Sequence, residues 1–340
     1  MIQAANSTLV THDAKGPPSR RLFLAQASRL PALAIMAGAG SGAACAQTDT
    51  GRGYEVDSQF SSPNQDSRVR TLVLHYTVVG FDSSLSKLTD SAAQVSAHYL
   101  VPDGDAVSTV YQLVPEDRRA WHAGRSYWQG DRMLNACSVG IEIVNSGFPE
   151  ADQSLPPMQR RWAPYGEAQL VAVGRLAADI VARHQIRPHK IVGHSDVSPG
   201  RKLDPGPLFP WERLYCEYQI GAWPEAEAVA YYLGTRAFDG DVASLQSRLL
   251  AYGYDTPQTG TMDAQTANVV SAFQMHFRPR NYDGVPDAET VAILDALLEK
   301  YFNVGRTTGA AKSAPSSALE QPGHDIGEKG FDVWPMPDSR

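Results

Sequence analysis

His194 and Asp204 are metal-ligating residue types set ten positions apart in one unusual run. Ile191-Val192-Gly193 delivers His194, Pro199 and Gly200 reverse the chain, and Lys202 and Asp204 follow on the return. This layout offers half of a hydrolytic metal site, because a catalytic zinc takes three protein ligands from His, Asp, Glu or Cys and leaves a position for water. The third ligand needs an equally rigid support. Leu72-Val73-Leu74-His75-Tyr76-Thr77 supplies one: an apolar Leu/Val run reads as a buried strand, with His75 at its C-terminal end. A lone histidine at a strand end is ordinarily a hydrogen-bonded core residue. The set of His75, His194 and Asp204 is what points to a metal.

Metal-activated water needs a base, and the carbonyl it attacks needs a positive partner. Ser138-Val139-Gly140-Ile141-Glu142-Ile143 embeds a carboxylate in a β-type apolar run. A buried carboxylate is costly unless it is paired or functional, so Glu142 is the candidate base. Lys202, two residues before Asp204, is the candidate oxyanion partner. Tyr76, Trp121, His122, Arg125 and Asn135 are candidate substrate contacts, since ring faces and amides suit a polar ligand with apolar patches. His98, on a strand expected over Val95 to Val101, is a weaker candidate, and His184 and His189 read as structural or surface residues.

The elements around these residues read as an α/β fold. Gly166 to Ile186 is the clearest helix, with Leu170, Val173, Leu176, Ala177 and Ile180 on one side. It leads into the Ile191 strand, as an alternating α/β core requires. Ile220 to Pro224 reads as a connector. Helices are then expected over 242–252, closed by Gly253, and over 266–275 and 287–301. The resulting division is 1–46 signal segment, 47–66 polar linker, 67–223 first domain, 224–302 connector and helical domain, and 303–340 a disordered tail.

The strings LVLHYT, LTDSAAQVSAHYLV, AWHAGRSYW, SVGIEIVN and GHSDVSPGRKLDPGPLFPW resemble those of zinc-dependent N-acetylmuramoyl-L-alanine amidases of the AmpD/AmiD type, and the AmiD branch above all. SLQSRLLAYGYD, GTMDAQT and AFQMHF resemble a three-helix peptidoglycan-binding module. The resemblance implies a mixed β-sheet flanked by helices, followed by a small three-helix bundle. It implies hydrolysis of the amide between the lactyl group of N-acetylmuramic acid and the L-alanine of the stem peptide. By position it implies zinc on His75, His194 and Asp204, Glu142 as base and Lys202 as oxyanion partner. Ala97 stands where some relatives place a tyrosine before the histidine of VSAHYLV, which leaves more of the proton work to Glu142. Two other readings are a non-catalytic peptidoglycan-recognition protein and an exported zinc peptidase acting within the stem peptide.

Ser19-Arg20-Arg21-Leu22-Phe23-Leu24, followed by an apolar segment from Leu30 to Gly40, resembles a twin-arginine export signal, which points to the periplasm. Ala44-Cys45-Ala46 offers an ordinary cleavage point, and Gly42 to Cys45 is also close to a lipoprotein box that would anchor Cys45 in the outer membrane. Residues 1–46 hold Lys15, Arg20, Arg21 and Arg29 against Asp13, so their removal takes the net charge from −7 to −10. A chain this acidic has no general attraction to nucleic acid. The expected partners are peptidoglycan or muropeptides, and the expected state is a monomer. Cys137 and Cys216 read either as one disulfide or as two thiols.

Overall fold

Thr71–Tyr76 forms β1, and its first five residues are buried, as a central parallel strand covered on both faces requires. The computed structural model describes residues 57–305 apart from 58, 105, 108 and 237, and the described residues from Asn64 onward form one compact unit. The twin-arginine segment, Cys45 and most of the expected tail lie outside the described residues. After β1 come α1 (Phe81–Thr89), β2 (Tyr99–Val101), β3 (Tyr111–Gln112), the hairpin of β4 (Tyr127–Trp128) and β5 (Asp131–Arg132), and β6 (Ser138–Ile143). Then follow α2 (Glu167–His184), β7 (Ile191–Gly193), α3 (His194–Val197) and α4 (Trp211–Tyr218). The main sheet runs β3-β2-β6-β1-β7 and is parallel except where β2 meets β3.

Strand alternation assigns the two faces of this mixed sheet. Leu72 and Leu74 of β1 and Val139, Ile141 and Ile143 of β6 pack with Leu170, Val173, Ala177 and Ile180 of α2. Each buried Leu, Ile or Val among them contributes about 1.5–3 kcal/mol. The intervening positions pair Val73 with Gly140 and His75 with Glu142, so these four share the opposite face. Helix α2 matches the expected span within two residues and ends on Gln185 in the left-handed conformation.

The C-terminal region contains α5 (Ala226–Thr235), α6 (Val242–Tyr252), α7 (Ala264–Phe277) and α8 (Ala288–Phe302). Helix α5 adds a fourth member to the expected three, packing Ala228 and Tyr232 on Ala292 and Ala296 of α8. Its sequence hid it: Tyr231 and Leu233 are exposed, so the apolar residues trace no single face. Asp241, Asp263 and Asp287 cap the other three, accepting the N–H groups of Ser244, Thr266 and Thr290 at 3.0, 2.7 and 2.8 Å.

No break in packing separates these helices from the sheet. Val73, Trp128, Leu134, Val192 and Val197 share one apolar core with Leu245, Tyr252, Tyr254 and Phe273. Buried Asp196 accepts the Tyr254 hydroxyl at 2.7 Å and the Gly193 N–H at 2.7 Å, and it lies 2.7 Å from His276 Nδ1. The His276 ring stacks on Trp211 at 3.9 Å. Cys137 is buried and Cys216 exposed, and both are free thiols. His184 bonds Glu116 at 2.7 Å, and His189 packs on Phe302 at 4.8 Å.

Candidate functional site

Ligand sites in parallel sheets form at the carboxyl ends of the strands, and three elements end together here. β1 delivers His75, β7 runs directly into His194, and the loop after α3 returns with Asp204. His75 Nδ1 lies 2.9 Å from His194 Nδ1 and 3.0 Å from Asp204 Oδ2, and His194 Nδ1 lies 3.0 Å from the same oxygen. All three residues are buried. Burial, then the neighbouring His194, pushes His75 down to about 4, so the ring is neutral. Burial opposes the charge of Asp204, but the two histidines outweigh it and hold the carboxyl well below its usual range.

Two imidazole lone pairs and a carboxylate oxygen therefore converge on one point, an arrangement that repels itself unless a proton or a cation sits among them. A tetrahedral ion with bonds of about 2.0–2.1 Å would set its ligand atoms roughly 3.3 Å apart, close to the spacing seen. Among the described residues this is the one cluster of three such groups that fits a metal. The remaining nitrogens are engaged. His194 Nε2 faces the Ala123 carbonyl at 3.1 Å, and His75 Nε2 faces His122 Nδ1 at 3.0 Å.

Above this floor opens a cavity of about 430 Å³, lined among others by Tyr76, Trp121, Glu142, Arg160, Lys202 and Asp204. Glu142 presents one edge to the cavity, while its Oε2 is enclosed without a hydrogen-bond partner. Burial, then the charge of Asp204, pushes its carboxyl well above the usual range, with Lys202 pulling the other way. Lys202 has no ion-pair partner among the described residues and lines the same cavity. Trp121 is half exposed on the wall, and burial keeps the Tyr76 phenol protonated.

Arg125 and Asn135 take other places, whereas His122 stays at the cavity's edge. Arg125 lines a neighbouring cleft with Arg132 and Asp255. Asn135 fastens a loop, its Oδ1 accepting the N–H groups of His122 and Ala123 at 3.1 and 2.7 Å. His122 is buried behind His75, with both ring nitrogens occupied by His75 and Ser138. His98 is no ligand: its Nδ1 accepts the Gly140 N–H at 3.0 Å and its Nε2 meets the Arg118 carbonyl at 3.2 Å. The strand it was placed on is shorter than expected, and His98 stands one residue before it. Ala97 is fully buried.

Gly140 is the residue that sequence reasoning passed over. A Cβ there would overlap the His122 ring, so only glycine lets that ring lie flat on β6. Gly140→Ala is expected to destabilise the fold by about 1–3 kcal/mol through overpacking, read as a lowered midpoint in denaturant. An unchanged midpoint would show that the ring has room to move.

The N-acetylmuramoyl-L-alanine amidase family model matches residues 65–207, and a peptidoglycan binding domain model matches 239–294. The N-acetylmuramoyl-L-alanine amidase AmiD of Escherichia coli is 47% identical over 255 residues, which span 73% of this chain and 89% of that protein. The solved complex of that enzyme with anhydro-N-acetylmuramic acid-L-Ala-D-gamma-Glu-L-Lys superposes with a TM-score of 0.66 at 46% identity, over 73% of this chain and 96% of the other. AMPDH3 from Pseudomonas aeruginosa gives a TM-score of 0.65 at 41% identity, over 73% of this chain and 98% of the other.

Proposed function

The chain belongs to the N-acetylmuramoyl-L-alanine amidase family, and from that premise we propose how its residues divide the work of hydrolysing the lactyl–L-alanine amide. Its substrates are peptidoglycan fragments, which places its work in the cell envelope. The observation that carries the reading is the convergence of His75 Nδ1, His194 Nδ1 and Asp204 Oδ2 beneath a groove walled by Glu142 and Lys202.

His75, His194 and Asp204 would hold zinc. When bound, zinc supplies a Lewis acid for the scissile carbonyl and lowers the pKa of water toward neutrality. Glu142 takes the proton of the attacking water on its cavity-facing oxygen and returns it to the departing alanine nitrogen. The enclosed Oε2 keeps that carboxyl poorly solvated and therefore a stronger base than an exposed glutamate. Lys202 brings an unpaired ammonium to the carbonyl oxygen as its negative charge develops. Tyr76 and Trp121 form apolar wall against which sugar or peptide can lie. The C-terminal helices add affinity for the polymer, and a twin-arginine leader would deliver the enzyme to the periplasm, with Cys45 either removed at the cleavage point or kept as a lipid anchor.

Digestion of an anhydro-muramyl tripeptide, followed by mass spectrometry, tests this. Free peptide beginning with L-alanine is expected. Activity should vanish when a chelator strips the protein and return on adding zinc. Cleavage within the peptide, with the lactyl–alanine bond intact, would instead make the protein a peptidase, and binding without any product would make it a recognition protein.

A further inference from the structure

The hydrogen bonds behind His75 form a chain whose direction is fixed at its far end. Ser138 Oγ lies 2.5 Å from the Leu134 carbonyl oxygen. A carbonyl brings no proton, so a contact this short places the serine proton between the two oxygens. Ser138 Oγ is also 3.2 Å from His122 Nε2. With its one proton already given, the hydroxyl can only accept there, so His122 Nε2 carries the hydrogen. The ring contacts of His122 are His75 and Ser138, with no carboxylate among them, so once Nε2 donates to the serine Nδ1 is left as its acceptor. The group that Nδ1 faces, at 3.0 Å, is His75 Nε2.

We propose that His122 and Ser138 are positioning residues that hold the His75 proton on Nε2 and thereby keep Nδ1 a bare lone pair aimed at the metal position. The proposal rests on the reading of His75 as a metal ligand.

Such a device is needed because Asp204 pulls the other way. Its Oδ2 stands 3.0 Å from His75 Nδ1, where it would draw the proton to the nitrogen that must be empty. His194 has an acceptor of its own: its Nε2 lies 3.1 Å from the Ala123 carbonyl, nearer than the Arg201 guanidinium at 3.3 Å, which itself donates to that carbonyl. No carbonyl reaches His75 Nε2. The relay passes the demand through one ring and one hydroxyl to the carbonyl of Leu134, so both ligand histidines are ultimately oriented by main-chain oxygen. Two features fix the relay in place. Asn135 accepts the His122 N–H, and Gly140 supplies the flat surface beneath the ring.

The test compares His122→Phe, which keeps a ring without nitrogen, with His122→Asn, whose Oδ1 falls where Nδ1 was, and with Ser138→Ala. Two readouts do not depend on turnover: zinc affinity by competition with a chromophoric chelator, and the ¹⁵N shifts of the His75 ring in metal-free protein. The wild type is expected to show Nε2–H. His122→Phe should move the proton to Nδ1 and weaken zinc by about tenfold to a hundredfold. His122→Asn should recover most of that loss, and Ser138→Ala should show a smaller shift in the same direction. The proposal is overturned if His122→Phe keeps wild-type affinity and tautomer, or if the Phe and Asn variants lose zinc equally, which would make the role one of packing. Should His122→Phe fail to fold, an unaltered tautomer in Ser138→Ala overturns it as well. If the wild type itself takes up no zinc, the metal reading fails, whereas the tautomer shifts still decide the relay.

Discussion

Replacing Glu142 by glutamine is expected to lower kcat about 10²–10⁴-fold while the protein still takes up zinc. The substitution keeps the shape of the side chain and removes only its capacity to accept a proton. Glu142 lies beside His75 in cross-strand register but outside the ligand trio, so metal content should hold. Asp204→Ala is the contrast, since it removes a ligand atom and should lose metal and activity together. The pH dependence carries a sign. Burial, then the charge of Asp204, raises the Glu142 carboxyl above the ordinary range, so it retains its proton to higher pH than a free glutamate. The working form is the ionised one, so turnover should climb with pH until the group has lost its proton. In Glu142→Gln that acidic limb should be missing from whatever rate remains. A glutamine variant within tenfold of the wild type, with the limb intact, would remove Glu142 from the chemistry.

Strand periodicity makes much of this site legible in the sequence. Alternation along β1 and β6 places His75 and Glu142 one to a face-sharing position, and the apolar run before His194 announces a rigid support. What strand patterns cannot give is register: that Glu142 pairs with His75, and not with a neighbour, is set by packing between strands distant in sequence. The segment from Trp121 to Asn135 was harder for a different reason. Its regular structure is a hairpin of two-residue strands and the start of a three-residue 3-10 turn, all too short for any period to reveal which way a side chain points. Arg125 therefore read as a groove residue though it lines the adjoining cleft, and the sequence did not show that His122, at the cavity's edge, also backs a ligand. The docking of the C-terminal helices was invisible for a third reason. Leu245, Tyr252 and Phe273 show the helical spacing of an internal core whether they pack on their own helices or also on Trp128.

That docking leads to the second large effect. A chain truncated after Trp223 is expected to lose its cooperative fold and its zinc site, not merely its affinity for wall polymer. Removing the helices would uncover Val73, Trp128, Leu134, Val192 and Val197. At about 1.5–3 kcal/mol for each large side chain returned to water, the loss is on the order of 10 kcal/mol. The whole stability of a domain is about 5–15 kcal/mol, so the deficit is of decisive size. Trp128 makes the dependence concrete: its indole meets the Tyr254 ring edge-on at 4.9 Å, and Gln129 beside it donates to the Tyr252 carbonyl at 3.0 Å. The cut also strips Asp196 of Tyr254 and His276, leaving the carboxylate that receives the Gly193 N–H without two of its partners, two residues from His194. A buried carboxylate deprived of its partners destabilises the segment that carries it. Thermal unfolding of residues 64–305 should accordingly show a single transition, since a tethered and independent module would melt separately. The expected outcome for residues 64–223 is aggregation, or a non-cooperative melt without bound zinc. A soluble fragment with a sharp transition and wild-type zinc affinity would show that the sheet carries its own core and that the helices serve only to hold the polymer.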